Sequence, residues 1–273
     1  MHLSSMNTSL ISILIFTVFV IFLLIIQGLW TRKTTLKLPE PQGAREGICG
    51  ENLSDDGVKG EGVSAEGVAS EYISGEGLSA KRETLTLLII GDSSAAGVGV
   101  DHQEHALSGY LTASLAKRFN VKWQLIAKTG YTSANIIQAL QHHQRPFDHI
   151  DYVLIAIGVN DVTSFTGSKR WQKNLITLIE RLERQFQAKN IIFSALPPMH
   201  LFTALPQPLR WILGARAKYL NQQMASIIRS KPACHLLHAE LPFSEQYLAD
   251  DKFHPSQAAY KLWAEQAAQL MNK

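Results

Sequence analysis

The sequence is poor in cysteine and lacks the short motifs that usually hold metals or nucleic acids. Only two cysteines, Cys49 and Cys234, occur among 273 residues, and two scattered cysteines make no disulfide framework. There is no His-Glu-x-x-His motif and no cysteine pair with zinc-ligand spacing, so we expect neither a metal nor another cofactor. No basic helix, zinc finger or aromatic-rich RNA motif is present either, which excludes nucleic acid as an expected partner.

Charge is absent from residues 10–30. At ~1.5 Å per residue, a helix of this length covers the ~30 Å hydrocarbon core of a bilayer. A secretory signal peptide would have a shorter apolar stretch, of roughly 7–15 residues, between a basic segment and a small-residue cleavage site. The preceding residues 1–9 contain no Lys or Arg, and residues 26–30 offer no convincing cleavage site. The sequence therefore favours an uncleaved, single-pass membrane anchor over residues 10–30.

Basic residues follow this span but do not precede it. Arg32, Lys33, Lys37 and Arg45 all lie on its C-terminal side. The positive-inside bias then favours a cytoplasmic location for the rest of the chain. The opposite topology, with the following domain on the exported face, stays open.

Residues 46–80 form seven five-residue repeats. Each repeat begins with Glu or Asp and has an aliphatic third position. The segment is too short to bury the core of a pentapeptide-repeat solenoid, which would complete less than two coils. Its enrichment in Gly and Glu is typical of a flexible chain. We therefore predict a flexible linker over residues 31–83, with the repeats as an acidic spacer, and a folded domain over residues 84–273.

Apolar runs alternate with helical periodicity throughout residues 84–273. This alternation predicts βαβ units and an α/β three-layer sandwich with a central, mostly parallel sheet of about five strands. In such a sheet, functional residues lie beyond the carboxyl ends of the strands. The predicted strands cover 86–90, 121–127, 151–157, 190–195 and 234–239, and the predicted helices cover 104–118, 132–142, 168–187, 208–229 and 256–271.

A serine, an aspartate and a histidine lie where strands end or helices begin. Ser93 follows an apolar run and opens a turn of small residues, which would expose its hydroxyl. His254 is a candidate general base, and Asp251, three residues earlier, could accept its Nδ1–H. Taken separately, these segments are ordinary turn and helix-cap sequences. Together they supply the groups needed for acyl transfer through a covalent intermediate.

Two further residues are candidates for stabilising an oxyanion. Asn160 ends the most hydrophobic predicted strand, where its carboxamide could donate to developing negative charge. Gly130 closes the second predicted strand and would let the backbone approach a substrate oxygen. Plain turn residues would explain both positions almost as well.

The order Ser93, Gly130, Asn160 and His254, with Asp251 before the histidine, resembles the four sequence blocks of the SGNH (GDSL-type) hydrolase family. The resemblance covers residues 84–273 and implies a flavodoxin-like α/β sandwich. It also implies that Ser93, His254 and Asp251 form a catalytic triad, and that the Ser93 N–H, Gly130 and Asn160 form an oxyanion hole. Ser94 stands where the family usually has leucine, which weakens any inference about substrate.

The resemblance therefore implies a membrane-anchored serine esterase or lipase that cleaves a carboxylic ester or thioester in a small-molecule or lipid-like substrate. Residues 199–205 follow the fourth predicted strand and either line an acyl groove or simply pack on the sheet. An acyltransferase using the same residues is one alternative. A non-catalytic, membrane-tethered scaffold that acts through the repeats is another.

Overall fold

A computed structural model describes residues 2–50, 82–242 and 244–272, and it confirms the predicted α/β sandwich. The strands are β1 (Glu46–Cys49), β2 (Thr84–Gly91), β3 (Asn120–Ala127), β4 (Ile150–Ala156), β5 (Ala188–Ser194) and β6 (Cys234–Leu237). The helices are α1 (His2–Thr34), α2 (Ser93–Ala96), α3 (Leu107–Leu115), α4 (Ser133–Gln141), α5 (Val159–Thr163), α6 (Ser168–Arg184), α7 (Leu209–Arg229) and α8 (Gln257–Met271).

The six strands form one mixed sheet in the order β1-β3-β2-β4-β5-β6. Strands β2 to β6 are parallel, and β1 pairs antiparallel with β3 at the edge. From β2 the chain moves to β3 on one side and then crosses to β4 on the other. The carboxyl end of β2 is therefore the point where the strand order reverses, and ligands bind at such points in open α/β sheets.

Both faces of the sheet are covered by helices. Leu87 and Ile89 of β2 belong to the core on the α3 and α8 side, whereas Leu88 and Ile90 belong to the core on the α4, α6 and α7 side. All four side chains are fully buried. A central parallel strand that is buried on both faces has to be apolar at successive positions, which explains the unbroken apolar run before Ser93.

The strand β1 was not predicted. Residues 36–50 were expected to belong to the flexible linker, but Glu46–Cys49 pairs with β3 over Val121 to Gln124. The first five-residue repeat, residues 46–50, thus contributes a strand to the sheet. The other repeats, residues 51–80, lie outside the described residues.

Helix α1 contains the apolar stretch identified in the sequence. The most apolar 18-residue window of its segment Thr8–Thr34 has a mean hydropathy of 3.1, and within residues 2–50, 82–242 and 244–272 this is the one helix long and apolar enough to cross a membrane. A signal sequence would have the same character, so length and hydropathy are consistent with the predicted anchor without deciding between the two.

Candidate active site

Ser93 is the first residue of the short helix α2, immediately after β2. The carboxylate of Asp92 caps this helix by accepting the backbone N–H of Ser94 at 3.0 Å. The turn needs glycine at position 91, because a Cβ there would lie 2.2 Å from the Ala156 carbonyl oxygen on β4. Gly91 thus allows β4 to approach closely, Asp92 caps α2, and Ser93 is the first residue of that helix.

Ser93, His254 and Asp251 form a continuous chain of hydrogen-bonding contacts. His254 Nε2 lies 2.8 Å from Ser93 Oγ, and His254 Nδ1 lies 2.5 Å from Asp251 Oδ2. The other carboxylate oxygen of Asp251 accepts the backbone N–H groups of Phe253 at 3.0 Å and His254 at 2.9 Å. The structure therefore brings the three side chains together in the order that the sequence analysis expected.

The turn between Asp251 and His254 is tight and charged. Lys252 has a φ of +56°, a left-handed conformation that reverses the chain within three residues. Burial raises the pKa of Asp251, but the hydrogen bonds from His254 and Phe253 outweigh it, and the net effect lowers the pKa. Asp251 thus stays ionised, as is required of a group that orients and stabilises an imidazolium.

The two candidate oxyanion residues lie on neighbouring turns, and a hydrogen bond from Asn160 joins these turns at Tyr131. Asn160, on α5, donates from Nδ2 to the Tyr131 carbonyl at 3.0 Å. Gly130 directly precedes Tyr131 and has a φ of +85°. A Cβ on Gly130 would meet no heavy atom within 4 Å, so the left-handed backbone rather than crowding favours glycine there. A carboxamide carries two N–H groups, and the contact with Tyr131 uses one of them.

The buried Asp161 links α5, which carries Asn160, to the first residue of α4. Its side chain is fully buried and accepts the backbone N–H of Ser133 at 2.8 Å and the Ser133 hydroxyl at 2.7 Å. Asn174 donates to the same hydroxyl at 2.8 Å. Burial raises the pKa of Asp161, although the Ser133 hydrogen bonds oppose the rise. The residue after Asn160 thereby fixes α5 against the start of α4.

Glu40 contacts the site from outside the sequence motifs. Its Oε1 accepts the backbone N–H of Thr129 at 2.6 Å and the Thr129 hydroxyl at 2.8 Å, and its Oε2 pairs with Arg45 at 3.0 Å. Arg45 in turn donates to the Ala127 carbonyl at the end of β3. Glu40 thus holds the residue that precedes Gly130. No local pattern in the sequence marks this residue, because its partner lies 89 positions away.

A mostly apolar cavity of about 240 Å³ lies beside the turn that carries Ser93, between the carboxyl ends of the strands and the start of α8. Asp92 and Ser94 form part of its wall. The apolar part of the lining includes Ile157, Leu196, Phe202, Leu248, Phe253 and Trp263. Of the segment 199–205, Phe202 reaches this cavity, whereas Met199 and Leu205 are buried in the core.

Solved structures of other proteins share this fold. The esterase EstA from Pseudoalteromonas sp. superposes with a TM-score of 0.55 at 21% identity, covering 69% of this chain and 99% of that one. The acetylxylan esterase Axe2 from Geobacillus stearothermophilus gives a TM-score of 0.51 at 17% identity, covering 70% of this chain and 96% of its own. At these identities the likeness concerns the fold alone.

Sequence comparison extends the likeness to family level. A GDSL-like esterase of Mycobacterium tuberculosis, Rv1075c, is 27% identical over 187 residues, which are 66% of this chain and 59% of that protein. The chain thus spans about three fifths of that relative's length. The model of the GDSL-like lipase/acylhydrolase family matches residues 89–262. Because the match covers more than half of the sequence and contains the whole site from Ser93 to His254, the chain belongs to the GDSL-like lipase/acylhydrolase family.

Proposed function

We propose that this protein hydrolyses carboxylic esters through an acyl-enzyme intermediate on Ser93. The observation that carries the proposal is the hydrogen-bonded chain from Asp251 through His254 to Ser93, placed at the strand-order reversal of the sheet. Family membership supports the same chemistry, and so do the names of EstA, Axe2 and Rv1075c, all of which are described as esterases.

In the first half of the reaction, Ser93 Oγ attacks the ester carbonyl carbon while His254 Nε2 takes its proton. The tetrahedral intermediate collapses as the bond to the leaving alcohol breaks and His254 returns the proton to that oxygen. In the second half, water attacks the acyl group while His254 takes its proton. The bond from the acyl carbon to Ser93 Oγ then breaks as His254 returns that proton to Oγ, and the acid is released. Asp251 holds the imidazole and stabilises its charged form in both halves.

The developing oxyanion needs donors that are already oriented. The backbone N–H of Ser93, the backbone N–H of Gly130 and the carboxamide of Asn160 are the proposed donors. Preorganised donors of this kind are typically the largest contribution to acyl-transfer catalysis. The bonds from Asn160 to Tyr131 and from Ser133 to Asp161 support the assignment, because they restrain the two turns that carry Gly130 and Asn160.

The cavity beside Ser94 is the proposed site for the acyl group. Its volume of about 240 Å³ lies just below the ~300–1,000 Å³ usual for small-molecule pockets. Its apolar lining favours a short or medium alkyl chain over a polar acyl group.

We further propose that residues 10–30 anchor the enzyme in a membrane as a single span, and the basic residues after this span favour a cytoplasmic domain.

The test uses the full-length protein in detergent micelles with p-nitrophenyl esters of increasing acyl length. We expect Ser93→Ala to abolish hydrolysis, whereas Ser94→Ala, one residue further along, retains most of it. Medium acyl chains should be cleaved with a higher kcat/KM than acetyl. Activity that survives Ser93→Ala would refute the mechanism, and a strong preference for acetyl would refute the acyl assignment of the cavity.

A further inference from the structure

The C-terminal part of α1 is bound to the start of α7. Gln27 donates from Nε2 to the Gln207 carbonyl at 2.6 Å, and its Oε1 accepts the backbone N–H of Leu209 at 3.2 Å. About one turn earlier on α1, Leu24 packs against the apolar core that includes α7. Since α1 carries the proposed membrane span, this contact fixes which part of the domain lies beside the last apolar turns of the span.

The start of α7 lies at the same edge of the sheet as Ser93. Helix α7 connects β5 to β6, and these two strands are parallel. A helix between parallel neighbours has to return from the carboxyl edge of the sheet to the amino edge. Its first turn is therefore at the carboxyl edge, where β2 ends and Ser93 begins α2.

Large apolar side chains are exposed around this contact. Trp211 is 66% exposed and lies about one turn after Gln207, and Trp30 is 58% exposed and lies about one turn after Gln27. Leu201, 43% exposed, belongs to the turn that packs on α7 at Gly214. Tryptophan is enriched at the level of the lipid headgroups, because its amphipathic ring can contact both apolar chains and polar groups there.

The sequence around this contact contains no acidic residue. Neither Asp nor Glu occurs from residue 184 to residue 239, whereas seven Lys or Arg residues do. Arg210 and Lys218 lie on α7 within two turns of Trp211, and Arg32 and Lys33 are in the last turn of α1. Cations placed in this way attract the headgroups of anionic lipids.

A groove connects this region with the proposed acyl site. It has a volume of about 600 Å³ and is lined by His200, Trp211, Gly214 and Lys218 among others. Leu196, Pro198 and Asn221 line both the groove and the 240 Å³ cavity beside Ser94. The exposed tryptophan is therefore at the rim of a depression whose inner wall is shared with the proposed acyl site.

We propose that Leu201, Arg210, Trp211 and Lys218, which we call the α7 face, contact the headgroup region of an anionic lipid bilayer. The inference rests on the proposed anchoring of the enzyme by α1. It goes beyond anchoring because it assigns the orientation of the domain: the edge that carries Ser93 faces the bilayer, and the groove opens towards the lipid. A domain held by a flexible tether alone would have no such preferred face.

The test uses the full-length chain in nanodiscs that contain anionic lipid, prepared with ordinary or with brominated acyl chains, since bromine quenches tryptophan at short range. The emission of Trp211 is the difference between the wild-type chain and Trp211→Phe. As a matched control, Phe119→Trp in the Trp211→Phe background adds an indole between α3 and β3, at the amino edge of the sheet and in the opposite helical layer. Lys218→Glu is compared with Lys117→Glu, an exposed lysine just after α3.

We expect brominated lipid to remove most of the Trp211 emission and to leave the emission added by Phe119→Trp unchanged. Lys218→Glu should weaken the quenching and Lys117→Glu should not. If Trp211 is unquenched while the remaining tryptophans are quenched, the proposed lipid contact of the α7 face is refuted and the proposed anchor is supported. If no emission is quenched, both the anchor and the face are refuted. Hydrolysis of a water-soluble ester in the same nanodiscs reports separately on the catalytic proposal.

Discussion

At the scale of single residues, Glu40 gives the proposed oxyanion turn a support that lies outside the enzyme's sequence blocks. Two donors of Thr129 converge on one of its carboxylate oxygens, while Arg45 occupies the other. Burial raises the pKa of Glu40, but the hydrogen bonds from Thr129 and Arg45 outweigh it and lower the pKa overall. The residue is therefore an ionised acceptor, and such charge-assisted bonds are stronger than neutral ones.

Glu40→Ala should lower kcat by roughly tenfold, the effect of about 1.4 kcal/mol on the barrier, with little change in KM. The reason is that a loosened Thr129 lets the adjacent Gly130 N–H drift from the oxyanion, which exists only in the transition state. Glu40→Gln keeps one acceptor oxygen and should recover part of the rate.

Glu46→Ala is the matched control, since Glu46 also bonds across to β3, through Gln124, but away from Gly130. Steady-state kinetics on a p-nitrophenyl ester separate the two variants. Equal kcat values for Glu40→Ala and Glu46→Ala would contradict the positioning role of Glu40.

The raised pKa of Asp92 makes the stability of the protein depend on pH. It is buried beside the apolar cavity, and this burial raises its pKa from 3.8 to about 7, against the helix-cap bond from Ser94. A group whose pKa is higher in the folded state binds its proton more tightly there than in the unfolded chain. The contribution of Asp92 to the free energy of unfolding is therefore highest below about pH 4 and falls as the pH rises towards 7.

Asp92→Asn keeps an oxygen to accept the Ser94 N–H but cannot ionise. Relative to wild type, the variant should gain thermal stability as the pH is raised from 4 to 8, by on the order of 1.4 kcal/mol per unit of pKa shift removed. Thermal unfolding of the full-length protein in detergent at pH 4, 6 and 8 measures this difference. A difference that is the same at all three pH values would rule out ionisation of Asp92 as its cause.

At the scale of secondary structure, the site depends on how α4 and α5 are joined. The carboxylate of Asp161, on α5, accepts the first backbone N–H of α4. Asp161 thus contacts the preceding helix in the chain, although β2 separates β3 from β4 in the sheet. Such a contact follows from the strand order and is not encoded in any local pattern.

Asp161→Ala should leave the buried N–H of Ser133 without its partner, at a cost of about 1–3 kcal/mol. Ser133→Ala removes the hydroxyl alone, so its loss of stability should be smaller. Differential scanning fluorimetry ranks the two variants, and kcat should fall further in Asp161→Ala because Asn160 is the next residue. Equal melting temperatures would indicate that the bond to the backbone N–H contributes nothing.

The sequence predicted most elements because their patterns are long and regular. The five parallel strands agree with the predicted runs to within two or three residues, and α6 and α7 were expected almost over their observed ranges. Two elements were missed because they are short: α2 has four residues and α5 has five. Strand β1 was missed because its pattern is shared with the repeats that follow it, and only the exposed edge of β3 makes it a strand.

At the scale of the whole molecule, the central position of β2 gathers residues from distant parts of the chain. Ser93 follows β2, Gly130 follows its neighbour β3 and Asn160 follows its other neighbour β4. The three positions could be matched in the sequence as separate blocks, and the sheet order explains why they meet. The contacts of Glu40 and Gln27 could not be predicted in this way, since both depend on how residues outside the sandwich lie against it.

The pairing of β1 changes what the repeats can do. Gly50 lies against the Asn120 side chain, and the carbonyl of Arg82 accepts a hydrogen bond from the same side chain at 3.4 Å. Residues 51–81 therefore leave and rejoin the domain at one place, at the amino end of β3, away from Ser93. They are an insertion between two adjacent strand ends, so their length would not set the distance between the proposed membrane anchor and the domain.

When the two ends of an insertion lie close together, a change in its length has little effect on the free energy of folding. Replacing residues 51–81 by a short Gly-Ser linker should therefore leave ester hydrolysis and the lipid quenching of Trp211 unaltered, as measured in nanodiscs. A change in either would mean that the repeats act on the domain itself. In the proposed membrane-anchored enzyme, the distance from the bilayer to the domain is instead set by residues 35–45, since a change in their length would pull Glu40 from Thr129 or Gln27 from α7.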